Sequence, residues 1–284
     1  MVNKGLLYVA TGKKYVREAI KSYASFKRFD NALPAVIYTD VVNKETAEEH
    51  FDHVEIIDSP AYCFLDKVAP LVNSPFEKTL FIDSDTYLNQ NIDELWAILD
   101  DYDLAFTFDN GRINDPLENV PDWFCEYSTG IILYNKCEIV QTLFEKWEIE
   151  FSKMRKASGM TVDQPSFRKS LWEVKPKFFT LPQEYNFSMY ANNISANGYP
   201  IKIFHGRYDD FEKAIEHLSS GKPTLYVNEF RFLERGTIKS FNYYESENWF
   251  FQFFMSCTNY YHRLIHRLGF SKTAAASKRR GNKV

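Results

Sequence analysis

Short runs of β-branched, aliphatic and aromatic residues, each bounded by polar positions, recur at 5–10 (GLLYVA), 35–39 (AVIYT), 54–57 (VEII), 79–82 (TLFI), 104–107 (LAFT), 130–134 (GIILY) and 201–204 (IKIF), and they predict strands. Between several of them the apolar spacing changes from runs to a helical period. Val16, Ala19, Ile20, Tyr23 and Phe26 fall on one helical face, as do Ile92, Leu95, Trp96 and Leu99, and again Val140, Leu143, Phe144 and Trp147. This alternation predicts an α/β chain with a mostly parallel, doubly wound, Rossmann-like sheet flanked by helices. No repeat and no Pro/Gly-rich linker divides residues 1–215, which read as one catalytic domain, with 216–284 as a C-terminal extension.

In such a sheet the ligand lies beyond the carboxyl ends of the strands, and the residues there are polar. The first strand runs into Ala10-Thr11-Gly12, the second into Thr39-Asp40, the fourth into Asp83-Ser84-Asp85, the fifth into Asp109-Asn110-Gly111 and the last into His205-Gly206-Arg207. Carboxylates and a histidine are thus expected to converge on one crevice. The segment EKTLFIDSDTYLNQNIDELW is the sharpest signal, because a buried strand delivers Asp83 and Asp85 with one small residue between them, aimed at the same side. Two carboxylates so placed suit Mg²⁺ or Mn²⁺, which take oxygen ligands and share the remaining positions with phosphate and water. An added imidazole, His205, moves the preference toward Mn²⁺. Placed near each other without a counter-ion, the two carboxylates would be costly.

The ordered series YVATGKKYVREAIKS, FLDKVAPLV, KTLFIDSDTYL, STGIILYNK, DQPSFRKSL, EYNF and IFHGR resembles the metal-dependent nucleotide-sugar glycosyltransferases of GT-A fold, especially the glycogenin-like and lipopolysaccharide-galactosyltransferase-like group, over about residues 4–207. The resemblance implies a nucleotide-diphospho-sugar transferase fold that moves a hexose from a nucleotide-diphosphate sugar, UDP first, to a glycan, lipid or protein acceptor with Mn²⁺ or Mg²⁺ and retention of configuration. It places Ala10, Thr11 and Tyr15 on the nucleoside, Tyr15 stacking on the base. It places Lys67, where relatives often carry arginine, on phosphate or sugar; Asp83 on ribose or metal; and Asp85 and His205 on the metal. Ser84, Gly206 and Arg207 join the donor site, Ser128, Thr129 and Gly130 line the sugar pocket, and Asp163 with Gln164 face the anomeric carbon. Two departures stand out: Ser-Thr-Gly replaces Asn-Ala-Gly before GIILY, and His-Gly-Arg replaces His-Gly-Lys. Retention through a covalent intermediate would need a carboxylate beside the anomeric carbon, for which Asp163 is the candidate. A front-face route assisted by the leaving diphosphate is the alternative.

Composition sharpens this picture in a few places. An apolar share of 45% supports a substantial core and excludes whole-chain disorder, while 17% aromatic residues fit either an aromatic core or a ring-stacking site. The 34 basic and 38 acidic side chains give −4, but seven of the basic ones lie beyond Glu247, past the last acidic side chain. The body therefore carries −11 and the tail +7, which argues against a nucleic-acid partner. Phe250, Phe254, Cys257, Tyr261, Leu264 and Leu268 share a helical face beside Arg263 and Arg267, ahead of a basic tail read as disordered. This pattern suits peripheral contact with an anionic membrane, docking on the catalytic domain, or self-association into a homo-oligomer. Cys63, Cys125, Cys137 and Cys257 have no metal-ligand spacing, and with no apolar run of membrane-spanning length a soluble, cytoplasmic chain is expected.

Several plainer assignments stand beside these. Asp163 followed by Gln164-Pro165 reads equally as an N-cap and helix start, and Asp93 reads as a cap of the 92–99 helix. Trp123, Phe124 and Tyr127 suit an acceptor platform or core packing, and Tyr185-Asn186-Phe187 reads as support for the sheet with some donor contact. Two other classes compete with a transferase. FIDSDTY approaches the DxDx[TV] nucleophile motif of haloacid-dehalogenase phosphohydrolases, except that Tyr87 holds the fifth position and the motif lies far from the N-terminus. A non-catalytic nucleotide-sugar or glycan binder would hold donor without consuming it.

Overall fold

The computed structural model describes residues 4–109, 116–189 and 200–207, with the backbone of four further strands, Asn193–Ser195, Thr224–Tyr226, Phe230–Glu234 and Thr237–Phe241. The main sheet is built from β1 (Lys4–Ala10), β2 (Ala35–Thr39), β3 (His53–Ile56), β4 (Lys78–Ile82), β6 (Leu104–Thr107), β7 (Ile131–Asn135) and β8 (Phe178–Leu181), in the order β3-β2-β1-β4-β7-β6-β8. All of these run parallel except β7, which is antiparallel to both neighbours. The α/β, mostly parallel sheet expected from the sequence is therefore present. Its one reversed strand has a functional result. The residues ahead of β7, rather than those behind it, arrive at the carboxyl edge where the ligand crevice lies.

Period-two alternation splits β1 between two apolar layers. Leu6, Tyr8 and Ala10 pack with Val16, Ala19, Tyr23 and Phe26 of α1 (Lys13–Lys27), whereas Leu7 joins Val36, Phe81 and the buried faces of α3 (Leu65–Val72), α5 (Glu138–Ser158) and α6 (Gln164–Val174). Among the described residues the aromatic side chains go largely into this core. Phe106 alone meets Tyr127, Phe167 and Phe178 with ring centroids 4.8–5.4 Å apart.

A second, three-stranded sheet holds the other half of the crevice wall: β5 (Thr86–Leu88), β11 (Ile203–His205) and β9 (Phe187–Ser188) in the order β5-β11-β9. The 201–204 run thus forms a strand at Ile203–His205, outside the main sheet, because its partners are β5 and β9. Asp83-Ser84-Asp85 is where the chain leaves one sheet for the other. The 92–99 helix shrinks to α4 (Leu95–Ile98), since Leu95 N–H, Trp96 N–H and Leu99 N–H bond to carbonyls three residues back, which makes turns rather than α-helix. Ile92, Leu95, Trp96 and Leu99 are nonetheless all buried. Asp93 does not cap α4, whose N-cap is Glu94; its carboxylate accepts from Asn91 instead.

Between α2 (Lys44–Glu48) and the end of the chain, two further pairings are seen: β10 (Asn193–Ser195) with β12 (Thr224–Tyr226), and β13 (Phe230–Glu234) with β14 (Thr237–Phe241), both antiparallel. Two compact units divide the chain, Met1–Asn242 and Tyr243–Val284. The boundary read at 215/216, the amphipathic pattern from Phe250 to Leu268 and the basic tail lie outside the described residues, as do Asn110 and Gly111. No helix among the described residues is long and apolar enough to cross a membrane.

Candidate functional site

The turn after β1 opens the site. Gly12 takes φ +96°, a conformation costly for any residue with a Cβ, and its N–H donates to Asp40 Oδ2 at 2.6 Å. Asp40 also accepts from the Val42 N–H and the Asn43 amide. Burial pushes the Asp40 carboxyl up, but the Gly12 and Asn43 hydrogen bonds outweigh it and hold the group below the ordinary carboxylate range. Asp40, expected in the crevice, thus lies beneath the turn and holds it. Thr11 is equally fixed, donating its hydroxyl to Asp66 Oδ2 at 2.8 Å. Tyr15, one turn into α1, is 42% exposed, and the Arg207 guanidinium lies 5.5 Å from its ring centre.

The antiparallel pairing of β5 with β11 sets Thr86 opposite His205, so that Asp85 and the end of β11 are neighbours. Gly206, at φ +136°, donates its N–H to the Asp85 carbonyl at 2.8 Å. Asp83, Asp85 and His205 consequently offer ligand atoms all within 4.8 Å of one another. His205 Nε2 lies 3.5 Å from Asp85 Oδ1 and 3.7 Å from Asp83 Oδ2, and its Nδ1 is 2.8 Å from Asn186 Oδ1. Burial acts to lower the His205 pKa, yet the hydrogen bond with Asp85 and the charges of Asp85 and Asp83 prevail and hold it above the imidazole norm. The Asp83 carboxyl is raised by burial against the opposing pull of Lys67 and His205.

Two carboxylates and one imidazole are a donor set for a divalent cation. The fit has an independent sign in Gly130, which precedes β7 and whose carbonyl accepts the Asp83 N–H at 2.8 Å. A Cβ on Gly130 would lie 2.2 Å from His205 Cε1 and 3.0 Å from Asp83 Oδ2, so the cluster closes over a position that only glycine can occupy.

Beside the cluster is a buried ion-paired group. Lys67, 5% exposed on α3, places Nζ 3.4 Å from Asp83 Oδ1, 3.2 Å from Asp163 Oδ2 and 3.2 Å from Thr129 Oγ1. Burial lowers its pKa, but Asp163 and Asp83 more than compensate, so the ammonium is held charged. Asp163 occupies the N-cap position of α6, as the sequence suggests, yet its side chain does not cap. It accepts from Thr129 at 3.0 Å and pairs with Lys67, because those partners lie on the cleft side of the helix. The next residue, Gln164, has an amide oxygen that is buried without a hydrogen-bond partner.

These groups face one cleft of about 580 Å³. Ala10, Thr11 and Tyr15 line it from β1 and α1; Asp83, Ser84 and Asp85 from the junction of the sheets; Ser128, Thr129 and Gly130 from the approach to β7; and Lys67, Asp163, Gln164, His205 and Arg207 from the remaining walls. Gly206 does not line it and acts through its backbone. Arg207 is committed to Glu18, with Nε to Oε1 at 2.9 Å, and lies 3.8 Å from Asp85. Ser84 Oγ also reaches Glu18, at 3.4 Å.

Sequence reading missed the wall formed by Tyr62, Cys63 and Phe64, and the group Arg155, Thr161 and Val162 just ahead of Asp163. Neither follows a strand, so no strand-end pattern marks them. The Trp123, Phe124 and Tyr127 set divides. Tyr127 is core, stacked on Phe108 at 5.1 Å, whereas Trp123 is 72% exposed and meets Trp172 edge-on at 5.5 Å, away from the cleft lining.

Sheet order, the reversed β7 and the flanking helices make up the α/β, mostly parallel architecture expected from the sequence, with the Asp83, Asp85 and His205 cluster at its carboxyl edge. A solved structure with this architecture is the glycosyltransferase GlyE of Streptococcus pneumoniae TIGR4, which matches with a TM-score of 0.54 and 14% identity over 73% of this chain. The match covers 56% of the GlyE chain, so the likeness is one of fold over little more than half of that protein. Neither a protein-family model nor a curated protein matches the sequence.

Proposed function

We propose that this protein is a glycosyltransferase that moves a hexose from a nucleotide-diphosphate sugar, UDP first among nucleotides, to a glycan, lipid or protein acceptor with the help of Mn²⁺ or Mg²⁺. The observation that carries this reading is the meeting of Asp83, Asp85 and His205 within 4.8 Å at the floor of a cleft whose other end is the glycine turn after β1. Asp83, Asp85 and His205 would hold the cation, which when bound offers Lewis-acid stabilisation to a diphosphate leaving group.

The protein's own groups divide the remaining work. Thr11 and Ala10 would seat the nucleoside, with the exposed Tyr15 ring against the base. Lys67 stays charged and buried between Asp83 and Asp163, a preorganised positive centre beside the position where leaving-group charge develops. Asp163 is 1% exposed and engaged by Lys67 and Thr129, which suits a group that orients its neighbours more than a free nucleophile. The Gln164 amide oxygen, buried without a partner, is the acceptor that a sugar hydroxyl would satisfy. With Asp163 so held, retention by a front-face route fits better than a covalent aspartyl intermediate, the acceptor proton passing to the leaving diphosphate.

The test is calorimetric titration of UDP and of GDP, with and without Mn²⁺, on the wild type and on Asp85→Ala. Mn²⁺-dependent binding of one nucleotide, lost in the variant, is expected. Absence of binding by both nucleotides in all conditions would sink the transferase reading. Turnover of a phosphate ester through an aspartyl-phosphate at Asp83 would favour a phosphohydrolase in its place, and donor held unconsumed with broad acceptor mixtures would favour a binding protein.

A further inference from the structure

Asn186 sits between a single-turn helix at Gln183–Tyr185 and β9, and is 3% exposed. Every polar atom of its side chain is committed. Nδ2 donates one proton to Thr107 Oγ1 at 2.9 Å and the other to Ser128 Oγ at 2.8 Å, leaving Oδ1 facing His205 Nδ1 at 2.8 Å. Ser128 Oγ also receives the Gly130 N–H at 3.4 Å. Both amide protons are therefore spoken for on the side away from the imidazole, and what Asn186 presents to His205 is an acceptor.

An acceptor at Nδ1 decides the chemistry at the other end of the ring. Neutral imidazole carries one proton, and the nitrogen that lacks it is the one able to bind a cation. With Nδ1–H directed at Asn186, Nε2 is the nitrogen that faces Asp83 Oδ2 and Asp85 Oδ1, 3.7 and 3.5 Å away, where it donates to Asp85 when no cation is bound and offers its lone pair to a cation seated among these groups. Partners of this kind on the far nitrogen set ring orientation and ligand basicity in histidine metal sites generally.

We propose that Asn186 is a positioning residue for the cation site: it fixes His205 in the Nδ1–H tautomer, aims Nε2 at the two carboxylates, and through Ser128 joins that ligand to the loop lining the donor end of the cleft. The proposal rests on the cation-binding reading of Asp83, Asp85 and His205. It goes beyond that reading in assigning a role to a residue that does not line the cleft.

Two readouts test it without any turnover assay. Nitrogen NMR of the imidazole, on wild type saturated with diamagnetic Mg²⁺, is expected to report Nδ1–H for His205 with Nε2 taken by the cation; a bound form that keeps Nε2–H would overturn the proposal outright. Titration with Mn²⁺ alone is expected to show about 10–100-fold weaker binding for Asn186→Leu, which offers no acceptor. Asn186→Asp, which keeps an acceptor toward Nδ1, is expected to restore binding. Equal affinity in wild type and the folded leucine variant would overturn the proposal, as would equal weakening in both variants, the pattern of a merely structural role. If the leucine variant does not fold, the wild-type tautomer and the aspartate variant still decide. A wild type that binds neither Mn²⁺ nor Mg²⁺ would remove the proposed function, whereas cation binding unchanged in the folded leucine variant would overturn the role of Asn186 alone.

Discussion

Gly130 is the residue on which the cation cluster turns, because its missing side chain is the space that His205 and Asp83 share. Gly130→Ala would put a methyl 2.2 Å from His205 Cε1, and backbone on β7 cannot move away without breaking its pairing with β4. The expected outcome is a folded protein, by circular dichroism, whose Mn²⁺ affinity is reduced by about 10–100-fold in a direct titration. Lys67 carries a different burden, since its removal leaves two buried carboxylates facing each other without a cation between them. Lys67→Met is expected to cost about 3–5 kcal/mol in denaturant unfolding, the usual result of orphaning buried charges. Added Mn²⁺ should return part of that loss by pairing with Asp83. Asp83, Asp85 and His205 were legible in the sequence because chemistry and position coincide there: acidic residues directly after an apolar strand. Gly130 and Lys67 were readable only through the resemblance, and Arg155 not at all, because its place on the cleft depends on how α5 lies across the sheet.

Elements decide which of these residues can meet. Sequence periodicity located most main-sheet strands to within a residue, since alternation and burial are local properties that the letters carry. Direction is not local, and nothing in GIILY announces that β7 runs against its neighbours. Nor did IKIF reveal that it pairs with β5 and β9; a three-residue strand has too little pattern to name its partner. β8, at FFTL, went unread for the opposite reason, being mostly half-buried where an apolar run is expected to be interior. α6 illustrates how one element serves two regions. Its first turn supplies Asp163 and Gln164 to the cleft, and one turn later Arg168, fully buried, donates from Nε to the Phe124 carbonyl at 2.5 Å and from Nη2 to the Pro121 carbonyl at 3.1 Å. Arg168→Met removes the donor from the Phe124 carbonyl and leaves the Pro121 carbonyl with the Phe124 N–H alone. It is expected to lower stability by about 2–3 kcal/mol and to release the 121–124 segment, measured as faster amide exchange there while Mn²⁺ affinity holds.

At the scale of the described molecule, the aromatic richness that composition could not place resolves mainly into core among the described residues, with Tyr15, Tyr62 and Phe64 on the cleft. Acid sensitivity is a second property at this scale. Asp40 is buried, and its carboxyl is held below the ordinary range by the Gly12 and Asn43 hydrogen bonds despite the cost of burial. Its contribution is fully present above the unfolded-state value, about 3.9, and is lost as pH falls through the lower folded-state value, because the unfolded chain then binds the proton more readily. Stability measured down an acid series is therefore expected to fall through that window in the wild type. Asp40→Asn should be less stable at neutral pH and flatter across the same window.

One last feature is the neck formed where Phe108 bridges Tyr127, with Asp109 N–H bonded to the Glu126 carbonyl at 3.1 Å and Ser128 N–H to the Thr107 carbonyl at 2.9 Å. The chain departs from β6 and returns toward β7 through the same narrow gate, its two ends stapled before anything between them can pull on Gly130. Replacing residues 110–119, ahead of the Pro121 and Phe124 carbonyls that Arg168 holds, with a segment of another length is expected to leave Mn²⁺ affinity unchanged, a result that titration of a loop exchange would test directly. A fold wired this way can revise one part of its surface repeatedly while the meeting of Asp83, Asp85 and His205 stays untouched, which is a route by which one scaffold acquires many surfaces.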